Sequence, residues 1–216
     1  MNCEKELSEI YDALDECFLS TLFEEDFLES VIAPFQEKYK KPFSYDYGAT
    51  KGVLIFKDLD CVLKIPFDGS GGDWFMGAFE GEDCYGWNYC AAEEDYYLLA
   101  ETANLEDCFL ETKCVVSIQG RPIYKQRIAT MMHEKQGYGK SCSSEEEYDR
   151  VSSTIRESHE VFNLPWQIDA FNFYGRIIFE KLMNFIDDSG IRDLHGGNLG
   201  YIGEQPVLVD YASFND

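Results

Sequence analysis

The segment 191–210 concentrates side chains of this sequence that could do chemistry. Asp193, His195 and Asn198 stand close together with two glycines between them, and Asp210 directly follows the short apolar run 207–209. Asp193 and Asn198 alone would fit an ordinary turn after a helix. The four polar residues together are better explained as a site, because carboxylates, an amide and an imidazole can orient substrates, move protons and bind metal ions.

A second candidate is a lysine inside an apolar strand pattern. Lys64 interrupts the sequence CVLKIPF at residues 61–67. Successive side chains of a β-strand point to opposite faces of the sheet. Lys64 therefore lies either on the solvent face of an edge strand or in a cleft, and the pattern alone leaves both alternatives open.

The elements that must position these residues are predicted by periodicity and punctuation. Apolar residues at helical spacing predict helices, and short β-rich runs separated by turn residues predict hairpins. Ser143 and Ser144, with Glu146 and Glu147 three residues on, form a capping box at a helix start. The predicted elements are helices at 3–23 and 27–35, a hairpin of 53–57 and 61–65, a helix at 87–103, a hairpin of 113–119 and 123–128, two helices before a stop at Gly190, and short strands at 199–202 and 207–210.

The segment 68–86 is rich in glycine, aspartate and aromatic residues, a composition that predicts a long loop. We favour a lid by a small margin. A partner-binding site and a disordered excursion explain the same composition nearly as well.

The composition favours an acidic, folded, cytoplasmic protein. The 216 residues include 41 acidic and 18 basic ones, which gives a net charge of −23. This charge repels nucleic-acid phosphates and anionic membranes, so we expect direct binding to neither. The eight cysteines include no CxxC pair, no signal peptide opens the sequence, and no apolar run has the length of a membrane helix. These features predict reduced thiols in the cytoplasm.

The order of the candidate residues resembles the protein kinase-like fold, which includes the aminoglycoside and choline phosphotransferases. RDLHGGN at 192–198 resembles the catalytic loop of that fold, and VDYAS at 209–213 resembles its metal-binding Asp-Phe-Gly segment. VLKI at 62–65 resembles the strand whose lysine contacts the α- and β-phosphates of the nucleotide. The predicted order of hairpins and helices matches as well, and the resemblance covers roughly residues 45–212.

The resemblance implies roles for the residues near the end of the chain. Asp193 would be the catalytic base that orients an accepting hydroxyl group, and His195 would orient the loop around it. Asn198 and Asp210 would hold Mg²⁺, which prefers oxygen ligands. ATP would be the phosphoryl donor.

The resemblance also implies the nucleotide contacts. Lys64 would pair with a glutamate of the helix at 87–103, and Glu93 is slightly favoured over Glu94 for this pairing. Residues Gln126 to Ile128 would form a hinge, where backbone groups meet adenine.

Two features depart from the family pattern. Only Gly48 and Gly52 stand where the glycine-rich loop would lie, which weakens the prediction of a backbone cradle for phosphate. Only residues 211–216 follow the metal-binding aspartate, whereas the family continues with substrate-binding helices.

We therefore expect an α+β, kinase-like protein whose C-lobe a partner protein could complete. Its three parts would be an N-terminal helical extension at 1–42, an N-lobe-like antiparallel sheet with a helix at 43–130, and a reduced helical C-lobe at 131–216.

Three functions follow, in this order of preference. The first is a kinase-like phosphotransferase that uses Mg-ATP, with a small molecule or a protein as an acceptor that the sequence does not identify. The second is a pseudokinase, a binding or regulatory protein on the same fold. The third is an acidic inhibitor that mimics nucleic acid and binds a basic partner, as many small phage proteins do, and a bacterial or phage origin would suit it.

Overall fold

The computed structural model describes residues 3–68, 86–135, 137 and 139–212, with the backbone alone at Cys3. The chain forms two units, one of residues 1–94 and 112–128 and the other of residues 95–111 and 129–216. Each unit combines helix with antiparallel strands, which confirms the predicted α+β class. The predicted loop at 68–86 lies outside the described residues except at its two ends.

The first unit is built on a five-stranded antiparallel sheet. Both predicted hairpins belong to this sheet, and a short edge strand that the sequence does not predict precedes them. In spatial order the strands are β1 (Ser44–Tyr47), β2 (Lys51–Phe56), β3 (Cys61–Pro66), β5 (Arg121–Gln126) and β4 (Lys113–Ile118).

Helices of the N-terminal segment pack on this sheet. The first, α1, spans Cys3–Asp15, so the predicted helix over 3–23 is too long. The second predicted helix is a succession of a 3₁₀ turn at Glu24–Asp26, a π-helix at Phe27–Ile32 and α2 at Ala33–Lys38.

A proline accounts for part of this irregular succession. Pro34 stands at the start of α2 and has no backbone N–H to donate to the carbonyl of Ser30. That carbonyl instead accepts a hydrogen bond from the Phe18 N–H at 3.0 Å. The Ser30 carbonyl, which has no helical partner, thereby attaches the segment that follows α1.

The core of the first unit lies between these helices and one face of the sheet. Phe27 and Phe35 are fully buried, and the Phe35 ring lies 5.0 Å from the Phe43 ring, centroid to centroid. Leu63 and Ile65 of β3 belong to the same core. Because strand residues alternate between faces, Lys64 between them points to the opposite face.

Two polar side chains of the β4–β5 turn fasten the segment after α1. Gln119 Nε2 donates hydrogen bonds to the carbonyls of Asp15 and Cys17, each at 2.8 Å. Arg121, which is 1% exposed, donates through Nε to the Leu19 carbonyl at 2.8 Å. These bonds satisfy carbonyl groups at the end of α1 and just after it that have no helical partner.

The second unit is mainly helical and has a three-stranded antiparallel sheet of its own. None of the helices in the described ranges has the length and apolar character needed to cross a membrane. Helix α3 (Gly86–Thr102) begins in the first unit, and the elements after β5 are β6 (Thr130–Met131), α4 (Glu145–Ser158), α5 (Leu164–Asp188), β7 (Leu199–Ile202) and β8 (Gln205–Leu208).

The predicted cap starts α4. Ser144 is the N-cap residue, and its Oγ accepts a hydrogen bond from the Glu147 N–H at 3.2 Å. The Glu147 carboxylate accepts bonds from the Ser143 hydroxyl at 2.6 Å and the Ser143 N–H at 2.7 Å. These two bonds lower the pKa of Glu147, because they favour its ionised form.

The cysteines whose side chains the structure describes are free thiols. They are Cys17, Cys61, Cys90, Cys108, Cys114 and Cys142. Burial raises the pKa of the Cys17 and Cys108 thiols to about 12. Both thiols are therefore protonated at neutral pH and behave as small apolar groups.

Helix α5 is interrupted by a glycine. Gly175 has a φ of 75° and a ψ of 163°, a backbone conformation that is essentially restricted to glycine. The preceding residue holds the interruption in place, since the single hydroxyl proton of Tyr174 is shared between the carbonyl oxygens of Asp107 and Pro206, which lie 2.7 Å and 2.6 Å from Oη.

We expect Gly175→Ala to lower the free energy of unfolding by about 1–3 kcal/mol. The cause is backbone strain, because a Cβ at Gly175 would meet no atom within 4 Å beyond its own chain neighbours and the adjacent backbone of α5. Urea unfolding followed by tryptophan fluorescence measures the change. The control is Gly203→Asn in the β7–β8 turn, where a φ of 62° suits asparagine. Equal losses in the two variants would contradict this explanation.

Candidate functional site

A buried ion pair joins the strand lysine to helix α3. Lys64 is 3% exposed, Glu93 is fully buried, and Lys64 Nζ contacts Glu93 Oε2. The predicted pairing of Lys64 with Glu93 is formed, and Lys64 is not on a solvent face. Glu94 instead accepts a hydrogen bond from the Cys114 N–H at 3.1 Å.

A close backbone approach at the start of α3 positions Glu93. The Gly86 N–H donates to the Phe67 carbonyl at 3.0 Å, and the Phe67 N–H donates to the Thr50 carbonyl at 2.9 Å. A Cβ on Gly86 would lie 1.8 Å from the Thr50 oxygen, so the helix can start here only at a glycine. The helix thus begins at the ends of β2 and β3 and carries Glu93 over the sheet face that Lys64 occupies.

A second lysine, which the sequence pattern did not predict at this site, contacts the same carboxylate. Lys51 Nζ lies 3.0 Å from Glu93 Oε1, and Lys51 is 8% exposed. Its ammonium group also lies 5.6 Å from the centroid of the Tyr89 ring, one helical turn before Glu93. Strand alternation was the available signal, because Lys51 shares a face of β2 with Val53, which is paired with Lys64.

Two further polar side chains in the described part of the chain belong to this buried network. Thr112 Oγ1 donates to Glu93 Oε2 at 2.8 Å, and Gln126 Nε2 donates to Thr112 Oγ1 at 2.6 Å. Gln126, predicted in a hinge, thus uses its side chain to support the glutamate. Ile128, also predicted in the hinge, donates its N–H to Asp60 Oδ1 at 3.1 Å, so this backbone donor already has a partner within the protein.

Both glycines predicted in a phosphate loop have a structural explanation. Gly48 donates its N–H to the Lys51 carbonyl at 3.0 Å and closes the β1–β2 turn. A Cβ on Gly52 would lie 2.3 Å from ring carbons of Phe27, so the glycine makes room for a core side chain. Neither observation requires a phosphate.

In the second unit, the loop after α5 presents two exposed functional groups. The side chains of Asp193 and His195 are 60% and 62% exposed, whereas Ile191 and Leu194 anchor the loop in the core. His195 Nδ1 accepts a hydrogen bond from the Gly197 N–H at 3.0 Å. The neutral imidazole therefore carries its proton on Nε2, which lies 3.7 Å from Asp193 Oδ1.

Backbone hydrogen bonds join this loop to the residue that ends the short apolar run. The Asn198 carbonyl accepts from the N–H groups of Val209 at 2.9 Å and Asp210 at 3.3 Å. Asn198 Nδ2 donates to the Asp193 carbonyl at 2.6 Å. Because Nδ2 is used in this way, the amide oxygen Oδ1 is the atom of this side chain suited to a metal ion.

The residues around Asp210 are held from both directions. Leu208 at the end of β8 accepts a hydrogen bond from the Leu110 N–H at 2.8 Å. Tyr211 is 1% exposed, donates through Oη to the Leu110 carbonyl at 2.9 Å, and packs its ring 5.0 Å from that of Phe109. These contacts of the flanking residues restrict the position of the backbone at Asp210.

The donor chemistry of Asn198 and Asp210 suits Mg²⁺. An amide and a carboxylate oxygen are hard ligands, and Mg²⁺ usually takes one or two carboxylates together with water and phosphate oxygens. Within the described ranges, no group of three or more histidine, cysteine, aspartate or glutamate side chains could hold a metal ion. A cation at these two residues would accordingly take further ligands from water or from a bound phosphate.

Comparisons with known proteins add no assignment. No family model matches this chain, and no curated protein or solved structure matches it. Among the described residues, predicted site residues occur in two polar groups: the carboxylate with two lysines in the first unit, and the loop with Asp193, Asn198 and Asp210 in the second.

We expect Glu93→Gln to lower the free energy of unfolding by about 3–5 kcal/mol, because it removes the charge from a carboxylate that two buried lysines share. Urea unfolding followed by tryptophan fluorescence measures the change. The matched control is Glu94→Gln, which keeps an oxygen for the Cys114 N–H and should change stability by less than about 0.5 kcal/mol. A loss in Glu94→Gln as large as that in Glu93→Gln would contradict the assignment.

Proposed function

We propose that this protein is a kinase-like phosphotransferase that binds ATP with Mg²⁺ and transfers the terminal phosphoryl group to an acceptor hydroxyl. The observation that carries the proposal is the buried Lys64–Glu93 pair. A strand lysine that only served solubility would extend into solvent, whereas Lys64 is 3% exposed and contacts a glutamate with no exposure. The resemblance between the sequence motifs and the protein kinase-like fold supports the same function.

The first unit would supply the contacts to the nucleotide phosphates. Lys64 would neutralise charge on the α- and β-phosphates, and Glu93 would hold the ammonium group in position. The hydrogen bond from Thr112 to Glu93 fixes the orientation of the carboxylate. Phosphoryl transfer depends on positioning and charge neutralisation more than on covalent chemistry by the protein, so a preorganised lysine suits this role.

The second unit would supply the metal ligands and the base. Asn198 and Asp210 would hold Mg²⁺, which supplies neutralisation of phosphate charge when it is bound. The exposed carboxylate of Asp193 is open to an acceptor hydroxyl group and would orient it for attack. The hydrogen bond from Asn198 to the Asp193 carbonyl holds these two residues in a fixed arrangement.

Calorimetric titration of Mg-ATP into the wild-type chain and into Asp210→Ala tests the nucleotide site. We expect the substitution to weaken binding at least about tenfold, because it removes a charged metal ligand. The control is Asp188→Ala, which removes an exposed carboxylate near the end of α5 and should leave the affinity unchanged. The absence of Mg-ATP binding by the wild-type chain would overturn the proposal.

Asp193→Ala separates binding from transfer. We expect it to keep the affinity for Mg-ATP and to reduce phosphoryl transfer by about 10²–10⁴-fold, the usual contribution of a positioned base. Transfer of radiolabelled γ-phosphate to pooled protein and small-molecule acceptors measures the rate.

Nucleotide binding without transfer in the wild-type chain would instead indicate the pseudokinase-type binding function. If there is no binding, the net charge of −23 makes a basic partner protein the next candidate ligand.

A further inference from the structure

Lys51 shares the structural features that single out Lys64. Both lysines lie on the same face of the sheet, and each contacts one oxygen of the Glu93 carboxylate. Their exposures, 8% and 3%, are similarly small. The Tyr89 ring packs beside the Lys51 ammonium group within the range of a cation–π contact and further restricts its position.

The two ammonium groups are therefore close neighbours. They occupy opposite oxygens of a single carboxylate, and Thr112 fixes the carboxylate through Oε2. An anion that contacts one of these lysines is also attracted by the positive charge of the other. A chain of phosphate groups has charged oxygens at comparable short spacing, and it can contact two ammonium groups at once.

The backbone of the β1–β2 region is already committed to other contacts. The Gly48 N–H closes the turn on the Lys51 carbonyl, and Gly52 makes room for the Phe27 ring. A phosphate cradle made of glycine N–H groups would require the turn at Gly48 to open. A lysine side chain from the same strand supplies positive charge without that rearrangement.

We propose that Lys51 and Lys64 form a two-lysine site for the polyphosphate group of a nucleotide, with Lys51 supplying the charge that a glycine-rich backbone loop would otherwise contribute. The inference that the ligand carries a nucleoside rests on the proposed function. The inference that it carries a polyphosphate group depends only on the geometry around Glu93.

The test is calorimetric titration of three ligands: Mg-ATP, inorganic tripolyphosphate and adenosine. The variants are Lys51→Met, Lys51→Arg and Lys64→Met, and the control is Lys57→Met, which removes an exposed lysine from the turn of the same hairpin. Each single variant keeps one lysine on Glu93. All titrations use a temperature at which circular dichroism shows that every variant is folded.

We expect Lys51→Met to weaken the binding of Mg-ATP and of tripolyphosphate by about tenfold or more, as expected for the loss of a charge-assisted contact, and to leave any adenosine binding unchanged. Lys51→Arg should recover part of the loss, because it restores the charge but not the geometry of the ammonium group. Lys57→Met should match the wild-type chain for every ligand.

The remaining outcomes separate this inference from the proposed function. If Lys64→Met loses affinity while Lys51→Met stays within twofold of the wild-type chain, the role of Lys51 is overturned and the phosphotransferase proposal survives. If the wild-type chain binds tripolyphosphate but not Mg-ATP, the two-lysine anion site stands and the nucleotide function fails. If the wild-type chain binds neither, both proposals are overturned.

Discussion

The arrangement of the first unit around α3 depends on the burial of one carboxylate. Glu93 has no solvent exposure, and an ionised carboxylate in such a place is stable only when it is paired and hydrogen-bonded. Lys51, Lys64 and Thr112 meet this requirement from three separate segments of the chain. The close approach at Gly86, the register of the sheet and the start of α3 all serve to bring these groups onto one side chain.

Much of this fold was predictable because its signals are local. The two hairpins, the start of α4 and the stop at Gly190 depend on turn chemistry, capping and periodicity within short stretches, and all of them are present. The end of α1 was not predictable. Apolar residues continue at helical spacing after Asp15, but the backbone there is held by Gln119 and Arg121, partners that no local pattern reveals.

The candidate site likewise has a part that was predictable from the sequence and a part that was not. The pairing of Lys64 with Glu93 followed from the order of motifs along the chain. Lys51 was missed because its role depends on the register between β2 and β3, and a shift of one residue turns every side chain to the other face. That register is set by a 3₁₀ turn at Lys57–Leu59 and by Asp60 in a left-handed conformation, with a φ of 48°. The sequence did not predict either feature.

The attachment of the segment after α1 to the β4–β5 turn sets an order of events during synthesis. Asp15, Cys17 and Leu19 leave the ribosome long before Gln119 and Arg121, so their carbonyl groups must stay solvated until about a hundred further residues have emerged. The apolar face of α1 cannot be buried against a finished sheet before then. Such long-range closure slows folding relative to locally connected helices, so the apolar residues of α1 stay exposed to water while the rest of the first unit is being made.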